Sequence, residues 1–215
     1  MEKKHQVHNL IILDESGSME SIKNPIISGF NELVQSIQGI EKQFPEQEHF
    51  ITFVTFNSAG RKVVHFMDPV AKLNQINGST YRPNELTPLF DAMGNSITSL
   101  RQALEKQSDY NVLVTVLTDG LENASKEYTG NSIKKLVEEM KMAGWTFTYI
   151  GTDHDVESIA TSISITNVMY FKKDSRGVRD MFEKERNARA MFSNKIRNKE
   201  NTDNDFYTPD EPKKS

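Results

Sequence analysis

Residues 7–18 read VHNLIILDESGS. The apolar run from Val7 to Leu13 is short, nearly continuous, and ends abruptly at a cluster of small and acidic residues. Such a run marks a strand buried on both faces, and strands of that kind belong to parallel sheets covered by helices. The strand stops at Asp14. From Pro25 to Ile40, apolar residues (Ile26, Ile27, Phe30, Leu33, Val34, Ile37, Ile40) recur at helical spacing, which predicts an amphipathic helix and completes a first βα unit.

The same alternation continues along the chain. His49 to Phe56 (HFITFVTF) and Arg61 to Met67 (RKVVHFM) are β-rich and separated only by Asn57-Ser58-Ala59-Gly60. Two strands so close leave no room for a crossover helix, so they form an antiparallel hairpin with the second strand at the sheet edge. Asn74 to Asn84 is polar and turn-rich and predicts an exposed loop. A helix follows from Pro88 to about Lys106, then a strand from Val112 to Leu117 that ends at Thr118-Asp119-Gly120. The next helix spans Ser132 to Ala143, with Asn131 or Ser132 as its cap and Gly144 as its stop. A strand at Thr146 to Ile150, a short helix at Val156 to Ser162, a strand at Val168 to Phe171 and a long charged helix from Ser175 to Lys199 complete the pattern. The expected fold is a three-layer, doubly wound α/β domain over residues 1–199, its sheet parallel apart from one antiparallel edge strand. Residues 200–215 have the low hydrophobicity of a disordered tail.

The 215 residues are 36% hydrophobic and 26% charged, enough apolar material for one buried sheet under a polar surface. No stretch reaches the length of a membrane helix, and the N-terminus lacks the apolar region of a signal peptide, so the expected location is the cytoplasm, away from the membrane. The absence of cysteine excludes disulfides, zinc thiolates and cysteine nucleophiles together. A net charge of −4 argues against a general nucleic-acid binder, whose affinity rests on neutralising phosphates.

Open α/β sheets bind ligands beyond the carboxyl ends of their strands, where strand order reverses. Asp14 and Asp119 both close strands, and in a doubly wound sheet those two strands are neighbours at the reversal. Two carboxylates facing one crevice raise each other's pKa or call for a cation. Neither Asp14–Met19 nor Thr118–Ala124 contains a Lys or Arg to supply one. Ser16 and Ser18 follow Asp14 on the same turn, so both hydroxyls can reach the same point. Thr87 opens the helix at Pro88 on the same edge, where it serves equally well as a helix cap. An all-oxygen donor set with few full charges suits Mg²⁺, with Mn²⁺ or Ca²⁺ as substitutes.

Asp14-Glu15-Ser16-Gly17-Ser18, Thr87-Pro88-Leu89 and Thr118-Asp119-Gly120, in that order and each at a strand end or helix start, resemble the metal-ion-dependent adhesion site of von Willebrand factor type A domains. The resemblance spans about residues 5 to 172, and Gly29-Phe30-Asn31-Glu32 and Leu121-Glu122-Asn123-Ala124-Ser125 are similar to small stand-alone bacterial or phage members. It implies Ser16, Ser18 and Thr87 as neutral direct ligands, with Asp14 and Asp119 ligating directly or orienting metal-bound water. It also implies an open coordination position for a carboxylate from a protein partner, hence a binding module and not an enzyme; Glu15 departs from the small or polar residue often seen at its position, and its side chain is expected to point away from the ion.

Two other readings compete. The metal can be structural or vestigial in a scaffold or regulatory subunit. A phosphatase reading makes Asp14 a nucleophile, but that chemistry wants a second Asp two residues on as general acid, and Ser16 stands there. Asp153-His154-Asp155 also lies on the functional edge, where it reads first as a loop and helix cap.

Overall fold

The computed structural model describes residues 4–152 and 156–207. Six strands form one sheet: β1 (His5–Asp14), β2 (Gln47–Asn57), β3 (Gly60–Pro69), β4 (Tyr110–Leu117), β5 (Trp145–Gly151) and β6 (Asn167–Tyr170), in the spatial order β3-β2-β1-β4-β5-β6. All pairs are parallel except β2–β3, the expected hairpin, which puts β3 on the edge. The helices are α1 (Lys23–Gln43), α2 (Leu89–Leu104), α3 (Gly130–Met142), α4 (Val156–Ser162) and α5 (Ser175–Arg197).

The period of two along β1 sorts its side chains into two cores. Leu10 and Ile12 pack with Met93 and Ile97 of α2, Val137 of α3 and Ala160 of α4. Ile11 and Leu13 pack with Phe30 and Val34 of α1 and Val178 and Phe182 of α5. The near-continuous apolar run is thus the signature of a strand with helices on both sides. β1 and β4 are adjacent, Leu13 opposite Leu117, so the chain returns to the centre of the sheet and the strand order reverses between them.

The α3 start differs from the sequence expectation. Its cap is Thr129, whose hydroxyl accepts from Ser132 N while the Ser132 hydroxyl accepts from Thr129 N, so Ser132 is the inner half of a capping box. At the other end Gly144 stops the helix with φ +84.

Beneath α5 the seam with the sheet is polar. Arg189, 2% exposed, donates to Glu185 Oε1 (2.9 Å), Asn9 Oδ1 (2.7 Å) and Thr115 Oγ1 (2.7 Å). Tyr207 donates to the other Glu185 oxygen at 2.6 Å, and burial beside that carboxylate pushes its phenol pKa up. The expected disordered tail, residues 200–215, falls partly outside the described residues, which end at 207. Residues 201–207 lie against the sheet: Thr146 Oγ1 donates to Thr202 O, Asn167 Nδ2 to Asp203 O, and Phe206 is buried with Val7, Leu113 and Phe192. Phe206 and Tyr207 carry enough apolar surface to dock an otherwise polar segment. Among the described residues no helix is long and apolar enough to cross a membrane.

Candidate metal centre

Asp14 is the last residue of β1 and is fully buried. Its Oδ1 accepts from Ser16 N (2.7 Å) and its Oδ2 from Thr118 Oγ1 (2.6 Å), so two donors orient the carboxylate. Desolvation raises its pKa to about 6, against the lowering by the Thr118 and Ser16 hydrogen bonds; the charge of Asp119 adds a smaller rise. Thr118 is the residue that the sequence reading passed over. The parallel register of β1 and β4 delivers its hydroxyl to Asp14, a pairing no local pattern reveals.

The hydroxyl residues gather on the same spot. Ser16 Oγ lies 3.1 Å from Ser18 Oγ, and Ser18 Oγ donates to Asp119 Oδ1 at 2.5 Å. A Cβ built on Gly120 would stand 3.1 Å from Thr87 Oγ1, 3.4 Å from Ser18 Oγ and 3.8 Å from Asp14 Oδ2. A point on Gly120, just past the β4 end, lies within 4 Å of oxygens from the β1 end and the α2 start, so the three segments converge. The structure therefore brings Asp14, Ser16, Ser18, Thr87 and Asp119 together. Asp14, Ser16, Thr87 and Asp119 are buried and form the floor, whereas Gly17 and Ser18 are exposed and form the mouth.

Thr87 is not used as a cap. The first-turn N–H groups of α2 are taken from across the crevice: Phe90 N donates to Glu122 Oε2 (2.8 Å) and Asp91 N to Ser125 Oγ (3.0 Å). Asn123 holds Thr87 on both sides, accepting from its N at 2.9 Å and donating its own N to its carbonyl at 3.2 Å. The Leu121–Ser125 segment thus splints the Thr87 hydroxyl toward the acids.

Glu15 turns away from the crevice, as expected, and accepts from Arg82 N. Together with the bond from Asn84 N to Glu15 O it ties down the 74–84 loop. That loop is mostly exposed, as expected, but is anchored by two buried residues. Ile76 is buried and its backbone is gripped by the Asn31 side chain in both directions. Tyr81 is wholly buried and donates to Asp14 O at 2.7 Å, so it supports the site from below. Asp153–His154–Asp155 lie outside the described residues.

One finding corrects the sequence argument. A basic residue does reach the acids, from far along the chain: Lys173 Nζ lies 2.7 Å from Asp119 Oδ2. The contact is an ion pair without hydrogen-bond alignment, since Asp119 Oδ2 has no hydrogen-bond partner although it is buried. Lys173 follows β6, and only the fold carries it back over β4.

The donor chemistry fits a hard divalent cation. Oxygens of Asp14, Ser18 and Thr87 lie within 4 Å of one point, Ser16 and Asp119 are joined to Ser18, and among the described residues no group of three or more His, Cys, Asp or Glu offers a softer or more heavily charged site.

A family model, the von Willebrand factor type A domain, matches residues 10–184. The chain belongs to that family. Solved structures agree on the fold. The von Willebrand factor type A chain is similar to the PilB minor pilin from Streptococcus sanguinis, with a TM-score of 0.62 and 12% identity over 88% of this chain and 62% of that one. It is also similar to the open conformation of the pilus adhesin SpaC from Lactobacillus rhamnosus GG (TM-score 0.63, 14% identity, 88% of this chain and 30% of that one). A third is the vWF domain of the type V pili tip protein Mfa5 from Porphyromonas gingivalis, at TM-score 0.59 and 11% identity over 85% and 95%. The von Willebrand factor type A chain thus spans about three-fifths of the PilB chain and under a third of the SpaC chain. No curated protein matches it significantly.

Proposed function

We propose that this von Willebrand factor type A domain binds a protein partner through a divalent cation, Mg²⁺ or a substitute such as Mn²⁺ or Ca²⁺, held by Asp14, Ser16, Ser18, Thr87 and Asp119. The observation that carries the reading is the convergence of Asp14, Ser18 and Thr87 oxygens on the space beside Gly120, with Asp119 joined to Ser18. When bound, the cation supplies a positive centre that an Asp or Glu of the partner can complete. The chain's own residues do the rest. Thr118 and Ser16 N fix the Asp14 carboxylate, Asn123 fixes Thr87, and the neutral hydroxyls leave the ion poorly neutralised, which favours an acidic ligand. Exposed Leu86 and Leu121, next in sequence to Thr87 and Gly120, provide apolar surface at the rim for a protein neighbour. Ser16, standing where a phosphatase would need its general acid, supports a binding role over a hydrolytic one.

Isothermal titration with Mg²⁺ tests the metal: wild type binds and Asp14→Ala does not, and equal null responses would sink the reading. A partner pull-down then loses its capture on addition of chelator. A second reading, a structural or vestigial site, draws on the Lys173–Asp119 contact, which supplies positive charge without any metal. Mg²⁺ binding with chelator-indifferent capture favours it.

A further inference from the structure

We propose that Lys173 is a tethered cation that competes with the divalent metal for Asp119 Oδ2 and so sets the metal affinity of the site. The inference rests on the metal-binding reading above and concerns a residue outside the five-residue donor set.

Lys173 Nζ stands 2.7 Å from Asp119 Oδ2. That oxygen is buried and accepts no hydrogen bond, while its twin Oδ1 accepts from Ser18. Oδ2 is therefore the atom of Asp119 that remains for a cation, and the ammonium already lies on it. The two partners differ in freedom. The Asp119 side chain is 0% exposed, whereas the Lys173 side chain is 36% exposed. The carboxylate stays in the crevice. The ammonium can swing into water, where its hydration offsets the lost ion pair. An arriving divalent ion thus displaces the lysine and leaves the acid in place.

The lysine is also hung from a rigid turn. Asp174 caps α5 by accepting from Gly177 N at 2.7 Å, and Asp174 N donates to Lys172 O at 2.8 Å. A Cβ on Gly177 would fall 2.2 Å from Lys172 O, so no other residue permits this closeness. The turn fixes the base of Lys173 at a distance from which its side chain spans to β4.

Titration of Mg²⁺ into wild type, Lys173→Met and Lys173→Arg tests the competition. Removing a unit charge beside the carboxylate, discounted for its exposure, should tighten Mg²⁺ binding about tenfold in Lys173→Met. Lys173→Arg, which keeps the charge, should remain near wild type. Equal affinities in wild type and Lys173→Met overturn the competition and leave the metal reading intact. Weaker binding by Lys173→Met also overturns it, since the lysine would then assist. If none of the three binds Mg²⁺, the metal reading falls and the competition with it. A second readout is the lysine side-chain nitrogen signal of residue 173 in NMR: it should shift on Mg²⁺ addition and shift the same way, without metal, in Asp119→Asn. A signal insensitive to both refutes the proposal.

Discussion

Replacing Arg189 by Met tests whether the polar seam under α5 is held together by charge. The residue is 2% exposed and bonds three groups, of which Glu185 is the only acid. Without the guanidinium, Glu185 keeps only the Tyr207 hydroxyl at 2.6 Å and Thr115 at 3.3 Å, two neutral partners for a carboxylate cut off from water. Removing one member of a buried pair costs about 3–5 kcal/mol, a large share of the roughly 5–15 kcal/mol that holds a domain folded. With a urea m-value of about 2 kcal/mol/M, the unfolding midpoint should fall by about 2 M. Circular dichroism during urea titration reads it directly. The double variant Arg189→Met/Glu185→Gln removes the stranded charge but keeps an acceptor for Tyr207, and should recover at least half of the loss. A midpoint shift of less than about 0.5 M, or a double variant no better than the single, would refute the account.

Other expectations are quicker to check. Gly120→Ala places a methyl 3.1 Å from Thr87 Oγ1, so Mg²⁺ binding by titration should weaken at least tenfold, while thermal unfolding changes by less than about 1 kcal/mol. Thr129→Ala removes the outer half of the α3 capping box and should lower stability by about 1 kcal/mol, read by chemical denaturation; no change would mean that Ser132 suffices alone. Burial holds the His8 and His49 pKa values down at about 4, so both stay neutral in the fold while the unfolded chain takes up protons near 6.5. Their contribution is full above about pH 6.5 and is lost as the pH falls toward 4, each worth up to about 3 kcal/mol. Asp14, raised to about 6, acts in the opposite sense below that pH, so stability should decline on acidification with a slope that His49→Leu flattens. An unchanged slope would exclude a neutral buried His49.

Much of this was legible because it is local. A strand apolar on successive residues needs cover on both faces, and its abrupt stop at Asp14 marks an edge where ligands bind. The second acid was legible for the same reason at Leu117–Asp119. What escaped depends on three dimensions. The Thr118 hydroxyl serves Asp14 only because β1 and β4 lie side by side in parallel register. Lys173 reaches Asp119 through the return of the chain after β6, and searching the flanks of each acid for a basic residue could not find it. Composition does not show that residues 201–207 lie against the sheet, where two aromatic rings outweigh their polar neighbours. The α3 cap is Thr129 and not Asn131 or Ser132, a distinction hidden in the sequence because the Ser/Thr pair of a capping box looks alike from both ends.

The polar seam under α5 also bears on how the crevice keeps its dimensions. Apolar helix faces can slip on a sheet by small increments, because one methyl replaces another at little cost. The hydrogen bonds from Arg189 to Asn9 of β1 and Thr115 of β4 match in one seating only, and a shift of a single turn would leave a guanidinium without either acceptor. The helix is therefore indexed like a keyed shaft, and the turn at its head, from which Lys173 extends, inherits that fixed datum.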